Sequence, residues 1–180
     1  MSSLRVPVNA NDHIRGGKNP EVMLVEYGDY QCPFCGAAQP VVHQLEAHFR
    51  DRMALVFRHM PLTEVHPFAQ PAAETAEFAD SHGKFWDAHE LIFANQPRLS
   101  MTLLFALVSS LGLSQMELRD ALARGTFLPK IRADFMSGVR SGVNGTPTFF
   151  INGERYNGPH SFPAMASAMS AEVGGRASVA

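Results

Sequence analysis

Apolar positions along the chain fall into two patterns, short unbroken runs and stripes recurring every three or four residues. Val22-Met23-Leu24-Val25-Glu26-Tyr27 is a run rich in strand formers and predicts a buried strand, which Gly28-Asp29 ends. Val41, Val42, Leu45 and Phe49 then repeat at helical spacing, with Pro33 suited to the helix's first turn and Pro40 inside it. Met53 to Met60 returns to strand character and Pro61 closes it. Strand, helix and strand in this order predict a right-handed βαβ unit. The first ~20 residues, with Gly16-Gly17 and Asn19-Pro20, predict irregular chain.

From Pro61 to Gly125 only helical patterns occur. Ala69, Ala72, Ala73, Ala76 and Ala79 make a small-residue stripe, the mark of a helix lying close against its neighbours. Phe85, Ala88, His89 and Ile92 make a second face. Ser100 is placed to cap a helix carrying Leu103, Leu104, Leu107, Val108 and Leu111, with Gly112 just past its end. Ser114 with Glu117 forms a capping box for another helix that Gly125 ends. Pro129 opens a further helix, with Ile131, Phe135 and Val139 expected on one face.

The last third turns back to sheet. Thr148-Phe149-Phe150-Ile151 is strongly β-forming, Asn152-Gly153 is the preferred hairpin dipeptide, and Arg155-Tyr156 begins the return strand. Ser161 caps a final helix through Met165, Met169 and Val173, and the tail after Gly174-Gly175 is expected to fray. The expected organisation is therefore residues 1–60 as a βαβ half, 61–125 as a helical insertion and 126–180 as an αββα half.

Composition narrows the function classes. Fifteen basic against seventeen acidic residues leave a net charge of -2, with no basic footprint for nucleic acid or an anionic membrane. No apolar run approaches the ~20 residues of a membrane helix. The N-terminal residues carry no secretory leader pattern, so the expected compartment is the cytoplasm, or the periplasm for a chain trimmed of its leader. Two cysteines are too few for a disulfide framework or for a four-cysteine zinc site in one chain.

Those two, Cys32 and Cys35, fall where the first strand hands over to the first helix. A helix start presents free N–H groups and the positive end of its dipole. A thiolate at Cys32 is stabilised there, and the thiolate is the nucleophile of thiol–disulfide exchange. Cys35, one turn on, is placed to resolve the mixed disulfide. The effect is worth up to ~2 kcal/mol, or about 1.5 pKa units. That makes a working nucleophile near neutral pH but not an extreme oxidant, so a middling redox potential is expected. A zinc site completed by histidines or by a second chain is the competing reading of one C-x-x-C pair. His43 and His48 are five apart, on different helix faces, and supply no matching ligands.

Five segments together resemble a known family: Tyr27–Gly36 around the cysteines, Arg58–Leu62, His66-Pro67, Lys84–His89, and Gly142–Gly153. They are similar in type and order to the DsbA-like oxidoreductases of the thioredoxin superfamily. The resemblance spans roughly residues 13–172 and implies an α/β thioredoxin fold, a central mixed sheet flanked by helices, with an all-helical insertion. It implies a thiol–disulfide oxidoreductase acting on protein dithiols or disulfides, and on glutathione, without metal or organic cofactor, as a monomer or weak homodimer. Thr146-Pro147 matches the cis-proline loop of such folds, which pairs with the backbone of a bound polypeptide like an added strand. Glu26 stands where thioredoxin-like proteins carry a buried acid. It is either the base that deprotonates Cys35 through water or a strand-end carboxylate paired with Arg58 or another base. Pro33, Phe34, Tyr30, Thr146 and Phe149 are the expected substrate-binding residues, with Tyr30, Phe34 and Phe149 forming an apolar collar around Cys32.

Two other functions fit the same sequence less well. Glutathione-linked transferases or isomerases on this fold generally use a single serine or cysteine, whereas here the pair is intact. A non-redox polypeptide-binding module needs no cysteines at all. Phe85, Trp86 and His89 are expected to be core, and His59 a hydrogen-bonded structural histidine.

Overall fold

A computed structural model describes residues 3–175. The described chain divides into two compact units: one holds Ala37–Arg58 with the chain before Gly28 and after Met136, the other Gly28–Gly36 and His59–Met136.

The first unit is built on a five-stranded sheet. Its strands are β1 (His13–Gly16), β2 (Val22–Gly28), β3 (Met53–His59), β4 (Thr148–Ile151) and β5 (Glu154–Arg155), in the order β1-β3-β2-β4-β5. β1 runs antiparallel to β3 with His13 opposite Phe57, and β4 antiparallel to β2 with Phe149 opposite Glu26. Every residue of β3 and β4, and all of β2 except Met23, is buried. That is why these strands read as continuous apolar runs rather than as an alternation. Asn152 (φ 48°) and Gly153 (φ 88°) form the tight turn into β5, both in the left-handed region that favours Asn-Gly. Helix α1 (Pro33–Phe49) buries Val42, Leu45 and Phe49 and contains Pro40.

Arg58, on β3, is almost completely buried. Its guanidinium grips Asp12 through two bonds, Nε to Oδ1 at 2.7 Å and Nη2 to Oδ2 at 2.8 Å, and also reaches Tyr27 Oη at 2.8 Å. The partner of Arg58 is therefore Asp12, not Glu26, which corrects one of the two expectations for Glu26. β1 was not legible in the sequence. Its residues, His-Ile-Arg-Gly, include an exposed Ile14 and lack an apolar stripe.

The second unit is helical: α2 (Ala69–Asp80), α3 (Phe85–Ala94), α4 (Met101–Ser110), α5 (Gln115–Arg124) and the part of α6 (Leu128–Arg140) up to Met136, the rest of that helix belonging to the first unit. α2 is buried on nearly every side and packs against α3, α4 and α5, which only a helix studded with alanine can do closely. Ser100 Oγ accepts the Leu103 N–H and Ser114 Oγ the Glu117 N–H, so both predicted caps are present. Gly125 takes the left-handed conformation that ends α5.

α6 departs from its predicted face. Val139 is 47% exposed, while Ile131, Asp134 and Ser137 are buried. Asp134 is drawn inward because its Oδ2 accepts the His59 N–H at 3.1 Å and it pairs with Lys130. Helix α7 (Phe162–Gly175) buries Met165 and Met169. The tail expected to fray after Gly174-Gly175 lies outside the described residues. Among the described residues no helix is long and apolar enough to cross a membrane.

Candidate functional site

Helix α1 begins at Pro33, which makes Cys32 the residue at its N-cap and Cys35 the third residue inside. Pro33 has no N–H to leave unsatisfied. The N–H groups of Phe34 and Cys35 are those from which an N-cap side chain accepts. The first intrahelical bond is Gly36 N–H to Cys32 C=O at 3.1 Å. Cys32 and Cys35 are not joined in a disulfide. Their i, i+3 spacing at the start of the helix sets both on one face. Cys32 retains 3% exposure and Cys35 none, so an incoming sulfur meets Cys32 first.

Around the pair, only part of the expected collar exists. Phe34 is 73% exposed and Pro33 is also open to solvent. Tyr30 and Phe149 are fully buried and form no part of a surface collar. Tyr30 instead points into the helical unit, where its Oη bonds His89 Nδ1 at 3.1 Å and its ring packs on Phe93 and His59. Phe149 faces the His160 ring edge-on. Phe85 and His89 are core, as expected, and His59 Nε2 pairs with Glu77 Oε1 at 2.7 Å.

The cysteine turn is held by polar side chains that the sequence did not single out. Asp29 is buried, and four donors converge on its carboxylate. Oδ1 accepts the N–H of Gln31 at 2.7 Å and of Cys32 at 3.2 Å; Oδ2 accepts the Leu62 N–H and His66 Nδ1, both at 2.8 Å. The Asp29 N–H in turn donates to Cys35 Sγ at 3.4 Å. Gln96 donates from Nε2 to the carbonyls of Tyr30 and Cys32, both at 2.9 Å. A Cβ on Gly36 would meet Gln96 Oε1, so Gly36 is what lets that amide reach in. Gln31 Oε1 accepts the Phe68 N–H at 2.6 Å. An Asp three residues before the cysteine is a recognisable capping signal. Gln96 leaves none, because it is 64 residues from Cys32 in sequence.

In the sheet unit, Glu26 is completely buried. Oε1 accepts from Gln39 Nε2 at 3.3 Å, and Oε2 has no hydrogen-bond partner among the described residues. Burial raises its pKa to about 8, with the Gln39 bond only partly opposing this. Thr146 is half-buried, the Thr146–Pro147 peptide is cis, and Pro147 is buried ahead of β4.

Comparison with known proteins bears on the whole chain. The family model described as thioredoxin matches residues 8–171. Among solved structures, oxidised BdbD of Bacillus subtilis superposes with TM-score 0.84 at 22% identity, covering 93% of this chain and 96% of that one. Alpha-DsbA1 of Wolbachia pipientis gives 0.81 at 20% identity, over 96% and 95%. The most similar curated sequences include the Na(+)/H(+) antiporters NhaA 1 of Salinispora arenicola and NhaA 3 of Salinispora tropica. They are 41% and 42% identical over 96% and 92% of this chain. The chain spans about a quarter of the length of those relatives (26% of each). By sequence the chain belongs to the thioredoxin family, and its mixed sheet with added helices is the DsbA-like form of that fold.

Proposed function

We propose that the protein is a thiol–disulfide oxidoreductase working through Cys32 and Cys35. The observation that carries this reading is the C-x-x-C pair at the start of α1, with the first sulfur at the N-cap and the second enclosed.

The Cys32 thiolate attacks one sulfur of a partner's disulfide, and the partner's other sulfur leaves as a thiolate. The Cys35 thiolate then attacks Cys32 Sγ in the mixed disulfide, closing Cys32–Cys35 and releasing the second partner sulfur. Two electrons pass from the pair to the partner, and the two thiol protons end on the released sulfurs; the reverse runs through the same intermediate. Glu26, with a pKa of about 8, is the group we assign to take and return the Cys35 proton. Pro147 and Thr146 hold the partner's backbone, and Pro33 with the exposed Phe34 supplies its apolar contact. Proteins with accessible disulfides or dithiols, and glutathione, are the substrate class.

The test is turnover of a protein disulfide by wild type, Cys32→Ser and Cys35→Ser. Loss of turnover in both, with a mixed disulfide trapped on Cys32 of Cys35→Ser, supports the reading. Full turnover by Cys32→Ser overturns it.

A second reading concerns the partner. The charge balance sets the expectation of no membrane partner, yet the similar curated proteins are named antiporters. We infer that a cation–proton antiporter polypeptide is one exchange partner. Trapping of such a polypeptide by Cys35→Ser in membranes supports this, and trapping of soluble proteins alone contradicts it.

A further inference from the structure

Asp29 sits unusually for a residue beside a nucleophilic sulfur. A helix start lowers the cost of a thiolate because its N–H groups and dipole face the negative charge. Here a buried carboxylate is built into that same start. Asp29 Oδ1 takes the N–H of Cys32 itself, and the Asp29 backbone N–H touches Cys35 Sγ. The carboxylate therefore lies against the backbone of the cysteine turn, three residues before Cys32 and screened from water. A like charge at such a distance opposes ionisation of the thiol. Its other oxygen is held by the Leu62 N–H and His66 Nδ1, which draw negative charge away from the cysteines. His66 is the half-buried member, its side chain 18% exposed.

We propose that the Asp29–His66 pair sets the redox poise of the Cys32–Cys35 couple, Asp29 biasing it toward the disulfide and His66 offsetting that bias. Both are positioning residues that touch no substrate, and the inference rests on the exchange reading above. The dithiol becomes more oxidising when its thiolate is stabilised, because the reduced state is then favoured. A carboxylate that destabilises the thiolate works the other way and makes the pair a better reductant. Geometry and charge are separable here. Gln96 clamps the same turn through the carbonyls of Tyr30 and Cys32 but carries no charge.

The experiment is equilibration of the full chain with reduced and oxidised glutathione, read by thiol trapping, for wild type, Asp29→Asn and His66→Phe. Alkylation of Cys32 at pH 6 is followed in parallel. Asp29→Asn keeps an acceptor for the Gln31 and Cys32 N–H groups while removing the charge. Its equilibrium constant for oxidation by glutathione disulfide should fall about tenfold, and Cys32 should alkylate faster at pH 6. His66→Phe removes a donor from Oδ2 and should move both readings the opposite way, on the order of threefold. Opposite signs are the signature of charge, since loosening of the turn alone would displace both variants in one direction. Unchanged constants, or shifts of the same sign, overturn the inference while leaving the exchange reading intact. A wild-type protein that never forms the Cys32–Cys35 disulfide at any glutathione ratio overturns the exchange reading itself. Should Asp29→Asn not fold, His66→Phe alone still decides: a shift toward the dithiol, or none, is contradictory.

Discussion

Glu26 and Asp29 are three positions apart in sequence, and both are buried carboxylates in different units of the protein. Glu26, at the sheet, is offered one side-chain donor at 3.3 Å, and burial pushes its pKa to about 8. Asp29, in the cysteine turn, collects four donors at 2.7–3.2 Å, three of them backbone N–H groups. Burial alone makes a carboxylate hold its proton, whereas convergent donors replace the water that it has lost. The two acids thus sit in opposite environments, one nearly without donors and the other surrounded by them.

The same contrast governs stability. Removing one partner of a buried ion pair leaves an uncompensated charge, so Asp12→Ala, which strands Arg58, should cost about 3–5 kcal/mol. Urea unfolding measures this, and a loss below about 1 kcal/mol would mean that Tyr27 and the carbonyls of Val6 and Pro7 suffice.

Glu26 provides the next largest effect, and it depends on pH. With the folded pKa near 8 and the unfolded one near 4.5, the folded state keeps a proton that the unfolded state has lost between those values. Stability from this group is complete below pH 4.5 and declines as pH rises toward 8, by a few kcal/mol. Glu26→Gln should flatten that decline, its advantage over wild type growing across the same window. A pH-independent difference between the two proteins would place the Glu26 carboxylate in contact with water.

Gly36 and Gln96 test the polar clamp. Gly36→Ala and Gln96→Ala should each destabilise by about 1–2 kcal/mol, and the double variant by no more than the larger of them. Additive losses would show that a methyl added at Gly36 leaves the Gln96 amide in place. Smallest of all, Phe34→Ala should change stability by less than about 0.5 kcal/mol, because the ring is exposed. It should still slow exchange with polypeptide disulfides relative to glutathione disulfide, and equal slowing of both would remove Phe34 from substrate contact.

Much of the architecture was legible because it is written in local patterns. The apolar runs of β2, β3 and β4, the alanine stripe of α2 and the caps Ser100 and Ser114 all announce themselves within a few residues. β1 did not, because an edge strand with an exposed Ile14 need not be apolar. The buried face of α6 was misplaced because Asp134 is drawn inward by a hydrogen bond from His59, 75 residues away in sequence, which periodicity cannot register. At the site, the cysteines were visible from their spacing and position. The burial of Tyr30 against His89 and the grip of His66 and Gln96 are long-range contacts with no local trace. The family pattern includes His66-Pro67 and Lys84–His89, and periodicity places His89 in the core without naming its partner. His66 holds Asp29, and His89 holds Tyr30.

The most direct test of the account is differential alkylation of the reduced protein from pH 5 to 8, with each cysteine followed by mass spectrometry. Cys32, at the helix start and alone in retaining exposure, should be modified ahead of Cys35 at every pH, with the largest margin below pH 7. Equal labelling of the two, or labelling of Cys35 first, would contradict the assignment of Cys32 as the attacking sulfur.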